Sequence, residues 1–256
     1  MRFGCCVNLE LIETAARGGC DFVELPASAL CPEQGEAQFR PVLGRLAGAP
    51  IKAEVWELCL PLDARICGPS VDWPRVSRYV STALRRIAAV GGAVVTFPCG
   101  EACEVPTGFS AGAGLAQLSD FLRVCGALAR RHGLTVGIEA LPARRSRPLG
   151  SVPEAMELAR SLNVPELGVV PNWFEMSRAG HSPLDVVDAA SWLAHVHVSA
   201  ADLEPAPGAD GPLREFIQAL CLADYGGRIS IQADWENPAD EMGRALDALR
   251  LCLAEN

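Results

Sequence analysis

Short apolar runs alternate with longer segments that carry hydrophobic residues at helical spacing along the whole chain. Strands buried on both faces read as near-continuous apolar runs, so a run such as residues 93–97 predicts a strand of a parallel sheet. The longer segments, such as residues 75–90, predict amphipathic helices. The regular alternation of the two kinds of segment implies parallel strands joined by right-handed crossovers.

The pattern predicts eight strand–helix pairs. The predicted strands are residues 3–8, 21–25, 51–60, 93–97, 134–141, 167–170, 193–199 and 228–233. The predicted helices are residues 9–18, 36–46, 75–90, 114–132, 152–162 (with Ser151 as N-cap), 182–190, 213–224 and 238–254.

Two α/β architectures are compatible with these pairs, an open doubly wound sheet and a closed barrel. Eight repeats with no GxGxxG motif after the first strand favour a single (β/α)8 TIM barrel. No linker or low-complexity tract divides the chain, so we expect one domain over residues 1–256.

Charge and composition narrow the range of partners. The formal net charge is -9, which disfavours nucleic acid because phosphate binding requires clustered Lys and Arg. The densest basic cluster, Arg144, Arg145 and Arg147, suits a solvated loop or a loop that grips one small anion. The 11 cysteines form no CxxC pair and indicate reduced thiols in the cytoplasm. No apolar run approaches the ~20 residues of a membrane span.

Polar residues stand at the ends of most predicted strands. Since the carboxyl ends of barrel strands form the active site, these residues predict a polar ring around one mouth. They are Glu24, Glu54 or Glu57, Cys99, Glu139, Asn172 with Glu175, His197, and Gln232 with Asp234.

Glu139 and His197 are the strongest candidates for chemistry in this ring. Glu139 lies inside an apolar strand, where a carboxylate is costly unless it is paired or bound to metal; a salt bridge to a barrel Arg is the structural alternative. His195 and His197 share one face of their strand, and histidine is a common metal ligand. A histidine with a purely structural hydrogen bond is the alternative there.

The segments around these residues resemble the xylose-isomerase-like TIM-barrel superfamily. They are Ile138-Glu139-Ala140-Leu141, Val170-Pro171-Asn172-Trp173-Phe174-Glu175-Met176, His195-Val196-His197-Val198 and Ile229-Ser230-Ile231-Gln232, with weaker matches at residues 105–110 and 225–230. The resemblance spans essentially the whole chain. The superfamily includes sugar isomerases, ketose 3-epimerases and the endonuclease IV type.

The epimerase-like branch implies a divalent metal held by Glu, Asp, His and Glu on strands five to eight. Here those positions are Glu139, Asn172, His197 and Gln232, so two carboxylates are replaced by amides. Mg²⁺ and Mn²⁺ prefer carboxylate oxygen. We therefore expect a site for Mn, Mg, Co or Zn that is weakened or lost, and no nucleotide cofactor.

The resemblance also implies that two Glu residues exchange a proton beside the substrate carbonyl. The predicted catalytic positions are Glu139, Gln232 and Glu175, the last of which replaces a family His. An amide takes up no proton near neutral pH, so Glu139 is the remaining acid/base and Glu175 a replacement base. The predicted substrate contacts, for which core packing of the tryptophans is the alternative, are Glu24, Trp56, Trp173, Arg145 and Trp235.

The function expected from these residues is that of a sugar isomerase or epimerase. Its substrate would be a small carbohydrate or related hydroxy-carbonyl compound. A non-catalytic paralogue that binds a small molecule or a partner, and a lyase or dehydratase on the same barrel, are the alternatives. An endonuclease-IV-like role is disfavoured by the acidic balance and by only 4 histidines. The resemblance implies that dimers or tetramers are common.

Overall fold

The computed structural model describes residues 1–141, 148–199 and 211–254. The strands are β1 Arg2–Cys6, β2 Phe22–Pro26, β3 Ala53–Glu57, β4 Val94–Pro98, β5 Thr135–Glu139, β6 Leu167–Val169, β7 Val196–Ser199 and β8 Arg228–Gln232. The helices are α1 Ile12–Arg17, α2 Glu36–Ala47, α3 Trp73–Ala89, α4 Ala111–His132, α5 Val152–Leu162, α6 Trp173–Ala179, α7 Asp185–Asp188, α8 Pro212–Leu222 and α9 Pro238–Ala254. In the described part of the chain, no helix has the length and apolarity needed to cross a membrane.

All strand pairs are parallel, and β1 pairs with both β2 and β8. The hydrogen-bonded order runs β6-β5-β4-β3-β2-β1-β8-β7. Parallel bridges from Val169 to Leu193 and from Asn172 to His197 join the two remaining edges. The sheet therefore closes, and the predicted (β/α)8 TIM barrel is confirmed.

Glycines allow the chain segments to approach closely where the barrel closes. A Cβ atom on Gly168 in β6 would lie 2.6 Å from the carbonyl oxygen of Trp192, just before β7. A Cβ atom on Gly137 in β5 would lie 2.4 Å from Cγ2 of Val170. Both distances are shorter than real Cβ contacts, so larger residues at these positions would push the strands apart.

The amino-terminal end of the barrel is closed by an apolar cluster and by ion pairs. Phe22, Val55 and Val94 form a small apolar cluster separate from the main core. Glu54 accepts hydrogen bonds from Arg2 at 2.7 Å and from Arg228 at 2.7 Å. Glu54 is thus an ion-pair residue that ties β1, β3 and β8 together.

The predicted and observed elements differ most after β6. Helix α6 was not predicted, and the helix predicted over residues 182–190 is reduced to the four residues of α7. Asn172 caps α6 directly after the strand. The expected N-cap Ser151 accepts from the backbone N–H of Glu154 and begins α5 as predicted.

Candidate active site

Four side chains from consecutive strands meet at the carboxyl end of the barrel. Asn172 Nδ2 lies 2.7 Å from Glu139 Oε1 and 3.0 Å from Gln232 Oε1. His197 Nδ1 lies 3.2 Å from the same oxygen of Glu139. The convergence predicted for these four residues is therefore present, while their predicted role as metal ligands stays a prediction.

Asn172 is fixed in position by the backbone on both sides. Its bridge to His197 includes a hydrogen bond from the His197 N–H to the Pro171 carbonyl at 2.9 Å. Its side-chain oxygen accepts the backbone N–H of Glu175, which starts α6. The asparagine therefore serves both as the last residue of the closing seam and as a helix cap.

His197 is fully buried between two carboxylates. Its Nε2 lies 3.0 Å from Glu24 Oε2, and its Nδ1 faces Glu139. Burial favours the neutral ring, but Glu24 and Glu139 outweigh this effect and hold the pKa of His197 well above its ordinary value. The two carboxylates thus favour the protonated form of the ring, which bridges them.

Glu24 receives further hydrogen bonds from inside the barrel. The Thr96 hydroxyl donates to Oε1 at 2.8 Å, and His195 Nε2 lies 3.2 Å from Oε2. Burial opposes ionisation, yet His197 and His195 hold the pKa of the Glu24 carboxyl well below its usual range. Burial lowers the pKa of His195 itself, whose Nε2 also lies 2.8 Å from the Ser230 hydroxyl.

Cys6, at the end of β1, is partly exposed and places its thiol beside the centre. Its sulfur and one atom each of Glu24 and His197 lie within 4.8 Å of one another, the one described group with potential metal-binding spacing. Burial, with the Glu24 and Glu57 carboxylates, raises the pKa of the Cys6 thiol well above its ordinary value. The thiol is thus held protonated, and a thiolate is the form that binds metal.

An open cavity of about 1230 Å³ covers this end of the barrel. Of the predicted site residues, Glu24, Asn172, Glu175, Gln232 and Trp235 line it. The Trp235 indole N–H donates to the Cys6 carbonyl at 2.9 Å, which holds the ring at the rim.

The other predicted substrate contacts are placed differently. Trp56 is fully buried and donates to the Ala53 carbonyl at 3.0 Å, and Trp173 stacks on Phe216 in the core. Neither lines the cavity, so both have the core-packing role that was the alternative. Arg145 lies outside the described residues.

Strand three contributes Glu57, which lines the cavity, and not Glu54, which lies at the opposite end. Burial raises the pKa of Glu57 to about 7, with Glu24 and Glu139 adding to the effect. Cys6, Thr96 and Ser230 are site residues that the sequence pattern did not single out, and His195 was only placed on the same face as His197. Strand alternation could have found three of them, because Thr96 and Ser230 each stand two residues before the last residue of their strand and His195 stands two residues before His197.

The orientation of the donors decides whether the four predicted ligands fit a divalent ion. The side-chain oxygen of Asn172 accepts a hydrogen bond from the Glu175 N–H, and its side-chain nitrogen faces the centre. His197 directs both ring nitrogens at carboxylates. An N–H group offers a cation no lone pair. The residues, as they are oriented, do not fit a divalent metal.

The fold and the site together define a (β/α)8 barrel with a carboxylate–histidine–amide centre at the carboxyl ends of its strands. The model of the xylose isomerase-like TIM barrel family matches residues 12–252, and the chain belongs to this family. No curated protein matches the sequence.

Solved structures share this fold at low sequence identity. A D-psicose 3-epimerase with D-tagatose from Clostridium cellulolyticum H10 is 16% identical, with 99% of each chain covered and a TM-score of 0.82. A 3-keto-D-glucoside 4-epimerase from E. coli is 19% identical, with 98% of this chain and 100% of that chain covered and a TM-score of 0.79. The IolI protein with a binding zinc atom is 13% identical, with 100% of this chain and 99% of that chain covered and a TM-score of 0.77.

Proposed function

We propose that the protein is a sugar isomerase or epimerase that moves a proton beside the carbonyl of a small carbohydrate or related hydroxy-carbonyl compound. The observation that supports this most is the buried pair of carboxylates, Glu24 and Glu139, held by His197 beneath the cavity next to Glu57. The epimerase neighbours of the same fold agree with this chemistry, which is carried here by analogy.

Glu139 is the proposed base. From the described side chains, Glu139 accepts two hydrogen bonds, one from Asn172 and one from His197. Both reach its Oε1. Those two donors fix the carboxylate, which is buried and does not itself line the cavity, so the proposal requires the substrate to reach its Oε2. In the proposed step Oε2 takes the proton from the carbon beside the carbonyl, and the C–H electron pair forms the carbon–carbon double bond of an enediol.

Glu57 is the proposed acid. The carbonyl electrons move to oxygen in the same step, and that oxygen takes the proton of Glu57. Because the pKa of Glu57 is about 7, the residue is protonated in a large fraction of molecules near neutral pH. Return of a proton to the opposite face gives an epimer, and its return to the neighbouring carbon gives an isomer.

The cavity lining indicates the charge of the proposed substrate. Its described residues include the carboxylates Glu24, Glu57, Glu175, Asp234, Glu236, Glu241 and Asp247, against the single cation Arg244. Neutral hydroxyl groups can donate to such carboxylates, whereas phosphate or carboxylate groups would be repelled. We therefore propose an uncharged sugar or sugar derivative as the substrate.

Solvent exchange tests the reaction directly. The protein is incubated in D2O with neutral pentoses and hexoses in their keto and aldo forms, and NMR follows deuterium at the carbon beside the carbonyl. We expect uptake with one of these sugars and a loss of at least about 100-fold in Glu139→Gln, which keeps the Oε1 contacts but has no base. Equal exchange in wild type and Glu139→Gln would contradict the proposal.

A second candidate function is a non-catalytic small-molecule-binding protein. The observation that favours it is the Asn172 amide, which is hydrogen-bonded to two of the residues expected to do chemistry. This candidate predicts that a sugar binds in calorimetry, that no deuterium enters it, and that Glu139→Gln leaves its affinity unchanged. The exchange experiment therefore separates the two functions.

A further inference from the structure

The Asn172 amide has one orientation that satisfies its neighbours. The backbone N–H of Glu175 can only donate, so the amide atom that faces it must be the oxygen, and the atom 2.7 Å from Glu139 Oε1 is then the amide nitrogen. The reverse orientation would place oxygen against oxygen on one side and N–H against N–H on the other.

The same orientation assigns the amide of Gln232. The nitrogen of Asn172 has two hydrogens, and the second points at Gln232, whose oxygen lies 3.0 Å away. One nitrogen therefore joins an acid from β5 to an amide from β8. The bridge to His197 fixes the backbone of Asn172, and the residue is buried at the centre.

We infer that the amide nitrogen of Asn172 takes the place of a cation in this centre, so that hydrogen bonds instead of a divalent metal hold Glu139 and Gln232 together. An aspartate at this position could cap α6 with one oxygen and offer the second oxygen to a metal. The asparagine caps with its only oxygen and offers N–H groups. The residue type at this position therefore decides whether an N–H group or a second oxygen faces Glu139 and Gln232.

Two substitutions with the same change in charge test this inference. Asn172→Asp and Gln232→Glu each add one carboxylate to the centre, but only Asn172→Asp removes the N–H donor. Mn²⁺ is the probe, and its binding to each full-length variant is measured by calorimetry and by loss of the free-ion EPR signal. We expect no binding at the centre in wild type or Gln232→Glu, and an affinity at least about tenfold higher in Asn172→Asp.

Three results would overturn the inference. The first is one Mn²⁺ per wild-type chain whose binding is lost in Glu139→Gln. The second is a gain in Gln232→Glu as large as that in Asn172→Asp. The third is a folded Asn172→Asp that gains no affinity. Mn²⁺ bound by wild type and unaffected by Glu139→Gln lies outside the centre and agrees with the inference.

The test holds even if a variant is unstable. The new carboxylate of Asn172→Asp would lie beside that of Glu139, so this variant is expected to melt at a lower temperature without metal and to recover with Mn²⁺. If that variant fails to fold, the wild-type and Gln232→Glu measurements still decide. The inference concerns the same centre as the proposed function, but metal binding is read without any sugar, so either idea can fail alone.

Discussion

Glu57 is a carboxyl group at the cavity whose pKa lies near neutral pH. Its pKa is raised to about 7 by burial and by the neighbouring Glu24 and Glu139. A raised pKa means that ionised Glu57 costs folding free energy. The favourable contribution is complete below the unfolded pKa of about 4.5 and is lost as the pH rises through about 7.

Replacing Glu57 should therefore change how stability depends on pH. We expect Glu57→Gln to gain stability relative to wild type between pH 5 and pH 8, by at most about 3 kcal/mol. Urea unfolding at the two pH values measures the difference. The exposed Glu13→Gln on α1 is the matched control and should show no such trend. A constant difference between wild type and Glu57→Gln would show that Glu57 is ionised throughout this range.

The residues of the centre could be predicted from the sequence, but their orientations could not. Glu139, Asn172, His197 and Gln232 follow from the strand ends, because parallel strands of a barrel bring their carboxyl ends together. Which atom of Asn172 faces Glu139 depends on the N–H of Glu175 in α6, a helix that the pattern did not predict. A seven-residue helix contains too few apolar positions to display helical spacing.

At the scale of the elements, the closure of the barrel depends on the contact between β6 and the segment before β7. We expect Gly168→Ala to destabilise the protein by roughly 1–3 kcal/mol or more, because its Cβ would press on the Trp192 carbonyl at 2.6 Å. Gly44→Ala in α2 is the control. Nothing lies within 4 Å of the added Cβ there, so alanine should be neutral or slightly stabilising.

Thermal and urea unfolding of both alanine variants measure the contrast. Since Asn172 lies on the same seam, deuterium exchange at the Glu139 and His197 amides should also rise in Gly168→Ala and stay unchanged in Gly44→Ala. Equal stability of the two variants would mean that the β6–β7 seam yields easily and does not hold the centre. The sequence shows Gly168 inside a strand, but its neighbour across the seam is set by barrel closure.

At the scale of the whole molecule, the two ends of the barrel differ in structure: one is closed by packing and ion pairs, and the other carries the candidate site. The amino-terminal end is closed by an apolar cluster and by Glu54 between two arginines. The carboxyl end carries the buried acids and the open cavity. For strand three, the sequence pattern left open whether Glu54 or Glu57 lies at the carboxyl end. The register between β2 and β3 shifts between Val23 and Glu24, beside Glu54, and strand alternation alone does not reveal such a shift.

The acidic character of the chain extends into the cavity and should select against anionic ligands. With a net charge of -9 and a cavity lined mainly by carboxylates, we expect a phosphate ester of the bound sugar to bind at least about fivefold more weakly than the neutral sugar at low salt. The Debye length falls to about 10 Å at 0.1 M salt, so the difference should narrow as salt is added. Calorimetric titrations at low and high salt measure it. A phosphate ester that bound more tightly than the neutral sugar would contradict the proposal of an uncharged substrate.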